Sequence, residues 1–105
     1  MRTMLVLDTA AVTAALPMQD CIDAVRDALA ALARDRYRQF PRFLLEAAET
    51  PVQVGLMPAF RASDTSLWGV KTVTVSPRNR ERGLDSHQGA MLVLDGRFRI
   101  RRANG

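Results

Sequence analysis

The order of periodicities constrains this chain most: one helical stripe comes first, and every later apolar run is β-like, with no second helix between runs. Met18, Ile22, Val25, Leu29 and Leu32 recur at alternating four- and three-residue spacing, which places them on one face of a helix expected to run to about Arg36. After Tyr37 the runs are short: FLLEA around Phe43, VQVGLM from Val52 to Met57, LWGVKTVTV from Leu67 to Val75, and the segment QGAMLVLDGRFRI. Prolines 41, 51, 58 and 77 punctuate them. Parallel neighbours need a crossover of about a dozen residues, usually helical, and the pattern offers none. The expected class is α+β, an N-terminal amphipathic helix packed on a largely antiparallel sheet.

Smaller features refine this picture. Met4 to Asp8 reads as a short strand, followed by a brief helical stretch, TAAVTAAL, that Thr9 can cap and Pro17 closes. Pro17 then suits the first turn of the main helix. Asp95-Gly96 lies between two alternating runs, a strong hairpin signal because both turn positions want positive φ. Arg97, Arg99 and Arg101 would line one face of the final strand, where charge protects an edge. The Asp20, Asp23 and Asp27 carboxylates fall off the helix's apolar stripe and read as a solvated face rather than an acid/base pair.

At 105 residues the chain fits one small domain. Such a length buries only about 65% of the surface its unfolded chain exposes, so help from another chain is expected. The net charge of +4 comes from 14 arginines against one lysine, without a nucleic-acid-binding motif, and neither nucleic acid nor membrane is expected as a partner. A single cysteine, Cys21, excludes an internal disulfide or a CxxC metal site and fits a cytoplasmic setting. No apolar run resembles a signal peptide or a span.

Three places could carry chemistry. Lys71, the only lysine, sits in a β-branched run and shares a strand face with Val73 and Val75. Either it meets an anionic partner or ligand there, or it snorkels to water from a strand end. Arg42, between Phe40-Pro41 and FLLE, has the planar fork that recognises a carboxylate, although taken alone it also reads as a surface residue. Ser86-His87-Gln88-Gly89 is expected in a turn leading into a strand from Ala90, where hydroxyl, imidazole and amide could converge on a polar ligand. One histidine without a cysteine pair gives metal binding little support, and no phosphate-cradling glycine loop occurs.

LMPA at Leu56 to Ala59, GVKTVTVSP at Gly69 to Pro77 and GLDSHQGAMLVLD at Gly83 to Asp95, in this order and spacing, resemble the ornithine cyclodeaminase and mu-crystallin family. The similarity extends to the opening LVLD, the amphipathic helix and FPRF. This resemblance implies the first third of a protein that pairs an α+β substrate-binding and dimerisation domain with a Rossmann domain carrying NAD or NADP. Family members include ornithine cyclodeaminase, imine reductases, amino-acid dehydrogenases and a thyroid-hormone-binding crystallin, and the resemblance does not choose among them. It implies that Arg42 holds a substrate carboxylate, that Lys71 contacts the substrate at the reacting centre, and that Ser86 completes the pocket, with Met57, His87 and Gln88 nearby. In a full-length relative, hydride would pass between the substrate Cα and the nicotinamide.

There are departures from the family pattern. Arg78 stands where many relatives carry glycine after the VSP-type turn, within SPRNRERG. The arginine-bearing helix that follows in relatives, the glycine-rich dinucleotide loop and the catalytic aspartate are not found here. The chain is therefore expected to be the N-terminal portion, residues 1–105, of such a substrate-binding domain, inactive alone and binding no cofactor alone. Its expected partners are a small amino or imino acid and either a second copy or a full-length relative. The rival expectation is a non-catalytic dimerisation or ligand-binding module of the mu-crystallin type.

Overall fold

The computed structural model describes residues 4–62 and 66–95. Two helices, α1 (Thr9–Ala15) and α2 (Met18–Ala33), precede the strands β1 (Tyr37–Gln39), β2 (Phe43–Glu46), β3 (Gln53–Arg61), β4 (Leu67–Val75) and β5 (His87–Leu94). All strand pairs are antiparallel, in the order β1-β3-β4-β5, with β2 also on β3. The fold is therefore α+β, as the periodicities indicate. The hairpin turn at Gly96 and the Arg97, Arg99 and Arg101 stripe lie outside the described residues. Among the described residues no helix is long and apolar enough to cross a membrane.

Local chemistry sets the helix ends. The carboxylate of Asp8, rather than the hydroxyl of Thr9, caps α1, with the Ala11 N–H donating to Oδ1 at 2.8 Å. Residues 4–8 form no strand, because an extended segment needs a ladder partner and none of the described strands pairs with it. Pro17 is the residue before α2, one position earlier than its preferred N1 place. At the other end α2 stops at Ala33, three residues short of Arg36. There the Arg36 N–H donates to the Ala31 carbonyl at 2.9 Å and the Asp35 N–H to the Leu32 carbonyl at 3.2 Å. With Asp35 at φ 59, this is a Schellman turn built on aspartate instead of glycine. It sends the chain directly into β1, a strand that the sequence pattern did not reveal.

β1 and β2 both lie along the same side of β3, separated by Phe40-Pro41-Arg42. Tyr37 is opposite Arg61 and Gln39 opposite Ala59, whereas Phe43 is opposite Leu56, so one extra residue is accommodated in the break. This explains why β3 passes through Pro58 instead of ending at Met57. The Pro58 carbonyl accepts from the Phe40 N–H at 3.3 Å, so the missing Pro58 N–H also points toward the β1–β2 break and leaves the β4 ladder intact. β4 spans the same residues as the LWGVKTVTV run. β5 starts at His87, earlier than the Ala90 start read from sequence, because its ladder with β4 continues to the His87–Val75 pair.

The two sheet faces differ. On one, Phe60 and Trp68 are directly paired, with ring centroids 4.9 Å apart, and Phe40 stacks on Trp68 at 5.6 Å. Leu56, Val70 and Leu92 share that face through the same register. α2 reaches the sheet at β1. Its stripe residues Met18 and Leu29 are 73% and 61% exposed, and Gly55 is the one buried residue among those described.

Candidate ligand face of the sheet

Lys71 occupies the middle of β4, where it is the one exposed residue of a half-buried strand. Antiparallel register places Met57 of β3 directly opposite it on one side and Met91 of β5 on the other. Directly opposed residues share a sheet face, so the ammonium stands between two flexible thioether side chains. The neighbouring rows on that face are small: Ala59–Gly69–Val93 on one side and Gly55–Val73–Gly89 on the other. A Cβ at Gly69 would meet nothing within 4 Å, so the surface beside Lys71 is open. At Gly89 a Cβ would come within 3.1 Å of the Thr72 carbonyl oxygen, tighter than an ordinary contact, so the ladder favours glycine there. The result is a low floor around one cation.

Arg42 precedes β2 in the break between β1 and β2, where one extra residue is accommodated and Arg42 has no ladder partner. Among the described residues neither its side chain nor that of Lys71 has a hydrogen-bond or ion-pair partner. The register thus brings Met57, Lys71 and Met91 into one row, with Arg42 outside the ladder in the β1–β2 break. Such a row can offer a small anion one cation with apolar flanks.

Ser86, His87 and Gln88 lie elsewhere. His87 pairs with Val75, four residues along β4 from Lys71, or about 13 Å. His87 shares the Lys71 face, while Gln88, opposite Thr74, is on the other and donates from Nε2 to the Asp85 carbonyl at 3.3 Å. Ser86 Oγ and His87 Nδ1 are 3.0 Å apart, with the donor set by the imidazole tautomer. These two residues border an open surface depression together with the exposed Arg80, Leu84 and Asp85. Arg80 and Asp85 escaped the sequence reading. Gly83 between them was the available signal: its φ of 72 closes the 3₁₀ turn Pro77–Arg82 and folds the arginine back toward β5.

The remaining candidates behave as ordinary surface. Asp23 accepts from Gln19 Nε2 at 3.2 Å and lies 3.7 Å from Arg26, an exposed helix pair of small energetic weight. Among the described residues no group of three or more His, Cys, Asp or Glu side chains could hold a metal ion.

A small antiparallel domain with a cationic, glycine-floored face is thus the class that fold and site define. The family model for the ornithine cyclodeaminase/mu-crystallin family matches residues 2–97. The chain belongs to that family. No curated protein and no solved structure matches it.

Proposed function

We propose that this chain is the substrate-holding part of an NAD(P)-linked enzyme of its family, taking the carboxylate and the amino or imino group of a small amino acid. The observation that carries this reading is Lys71, exposed at the centre of the sheet between Met57 and Met91. Arg42 holds the carboxylate through its planar fork, Lys71 supplies positive charge beside the Cα substituents, and the glycine floor lets the ligand lie flat. The sequence contains no G-x-G-x-x-G loop, so these residues do not fit a dinucleotide, and no step is assigned through one. When bound by the protein that holds it, the nicotinamide supplies or accepts hydride. The working unit in this proposal is residues 1–105 as the N-terminal portion of the substrate-binding domain, in the cytoplasm, where the lone thiol of Cys21 is ordinary.

The test is a titration of the chain with L-ornithine, followed by the methyl resonances of Met57 and Met91. Saturable shifts are expected, weakened at least tenfold in Lys71→Met and in Arg42→Gln. Shifts that survive both substitutions overturn the assignment.

A second reading, a non-catalytic dimerisation or ligand-binding module, is favoured by the exposed stripe Met18, Ile22, Val25 and Leu29 on α2. Association with a second copy or with a full-length relative would cover it. The two readings share the same ligand face and differ in whether that face ever meets a cofactor.

A further inference from the structure

Lys71, the only lysine of the chain, is surrounded on its sheet face by thioether, aliphatic and small groups. Met57 and Met91 stand in its own row, and the adjoining rows of β3, β4 and β5 contain alanine, glycine and valine. None of these side chains is a strong hydrogen-bond acceptor, whereas the ammonium has several donors to place. Being exposed, it gives them to water. One new oxygen atom in this neighbourhood would be the side-chain acceptor that the cation lacks.

Met91 is where such an oxygen can arrive. It lies on β5, at the end of the strand order, and is 67% exposed, whereas Met57 on the interior strand β3 is half-buried. With hydrogen peroxide as oxidant, the thioether sulfur attacks one peroxide oxygen and the O–O bond breaks. The proton of the transferred hydroxyl passes to the departing hydroxide, so the sulfur is oxidised to a sulfoxide and the peroxide is reduced to water. Directly opposed residues have Cβ atoms about 5 Å apart, a gap that the sulfoxide oxygen and the flexible lysine stem span together. A hydrogen bond from an ammonium to this polar oxygen is charge-assisted and stronger than a neutral one.

We propose that Met91 is an oxidation site whose sulfoxide oxygen accepts from the Lys71 ammonium, so that peroxide masks the cation of this sheet face. The contact stands on register and exposure; only its consequence, weaker binding of an anionic ligand, rests on the proposed function. Exposure alone does not single out Met91, since Met18 on α2 is 73% exposed. The helical neighbours of Met18, Cys21 and Ile22, bring no cation to it, and its oxidation leaves the sheet unchanged. Sulfoxides are returned to thioethers by methionine sulfoxide reductases, so the mask is removable.

The experiment treats the whole chain, carrying isotopically labelled lysine, with hydrogen peroxide. Because Lys71 is the only lysine, its ε-methylene gives a single NMR signal, while peptide mass mapping follows each methionine over time. Met91 is expected to convert at least threefold faster than Met57, with the Lys71 signal moving in step with Met91. The movement should vanish in Met91→Leu and persist in Met18→Leu, and dispersed backbone amide signals check that each variant is folded. If Met91→Leu does not fold, the wild-type time course decides the same point, because Met91 and Met57 convert at different rates. L-ornithine, followed at the Met57 methyl, should bind at least threefold more weakly once Met91 is converted. An unmoved Lys71 signal, an equal movement in Met91→Leu, a Met57 that reacts as fast as Met91, or ornithine binding unchanged by oxidation each overturns the proposal. A reduced chain that does not bind ornithine, with Lys71 still moving on oxidation, rejects the proposed function and keeps the oxidation site. Ornithine binding with an unmoved Lys71 does the reverse.

Discussion

Asp35 shows how a single residue can hold a costly conformation for the sake of a turn. Its φ of 59 is left-handed backbone, which costs an L-residue about 1–2 kcal/mol, and its carboxylate sits at the unfavourable C-terminal end of α2. Asp35→Gly is expected to raise stability by about 0.5 kcal/mol, because the relief exceeds the extra chain entropy glycine loses on folding. A urea midpoint that falls would show that the aspartate side chain contributes something the geometry does not reveal. Gly83 presents the opposite case, with glycine already at φ 72. Gly83→Val should cost about 1–3 kcal/mol and reshape the depression that Ser86 and His87 border. In the sequence Lys71 stood out by its isolation in a β-branched run, whereas Arg42 taken alone read as surface and became a candidate only through the family resemblance. The depression that Arg80 and Asp85 border was not visible, because it forms only around a left-handed turn that residue types alone do not specify.

At the scale of elements, the ladder β3–β4–β5 is the part whose register carries the site. Gly89 and Gly69 occupy neighbouring rows around Lys71 but face different constraints. A Cβ at position 89 meets a backbone oxygen at 3.1 Å, whereas one at position 69 meets nothing within 4 Å. Gly89→Val is accordingly expected to destabilise by about 1–3 kcal/mol in denaturant unfolding, and Gly69→Ala to remain within about 0.5 kcal/mol. Equal losses at both positions would mean that the floor is not the close-packed row described. The strands from Phe43 onward were visible in the sequence because β-branched and apolar residues cluster in them. β1 was hidden: Tyr37–Gln39 is three residues long, charged, and paired only because the Schellman turn delivers it to β3.

At the scale of the molecule, the faces are exposed where a small domain needs them covered. Val25 and Leu29 are 52% and 61% exposed, and Phe43 on β2 is 60% exposed. A chain of this size buries too little apolar surface to leave such a stripe in water without loss of stability. Sedimentation velocity is expected to show species larger than an 11.6 kDa monomer at micromolar concentration, and Leu29→Lys to shift them toward the monomer. A wild-type monomer that melts cooperatively would remove the case for association.

What the sequence determined by itself is the class of fold and the family: apolar periods of four-and-three and then of two are written locally, and LMPA, GVKTVTVSP and SHQGA are contiguous strings. Only the tertiary structure decided which residues meet. Lys71 faces Met57 and Met91 because of ladder register, Pro58 is tolerated because its missing N–H falls at the β1–β2 break, and Arg80 and Asp85 border one depression on either side of the left-handed Gly83. Those are relations between distant or oppositely turned segments, and pairing geometry, rather than local propensity, sets them.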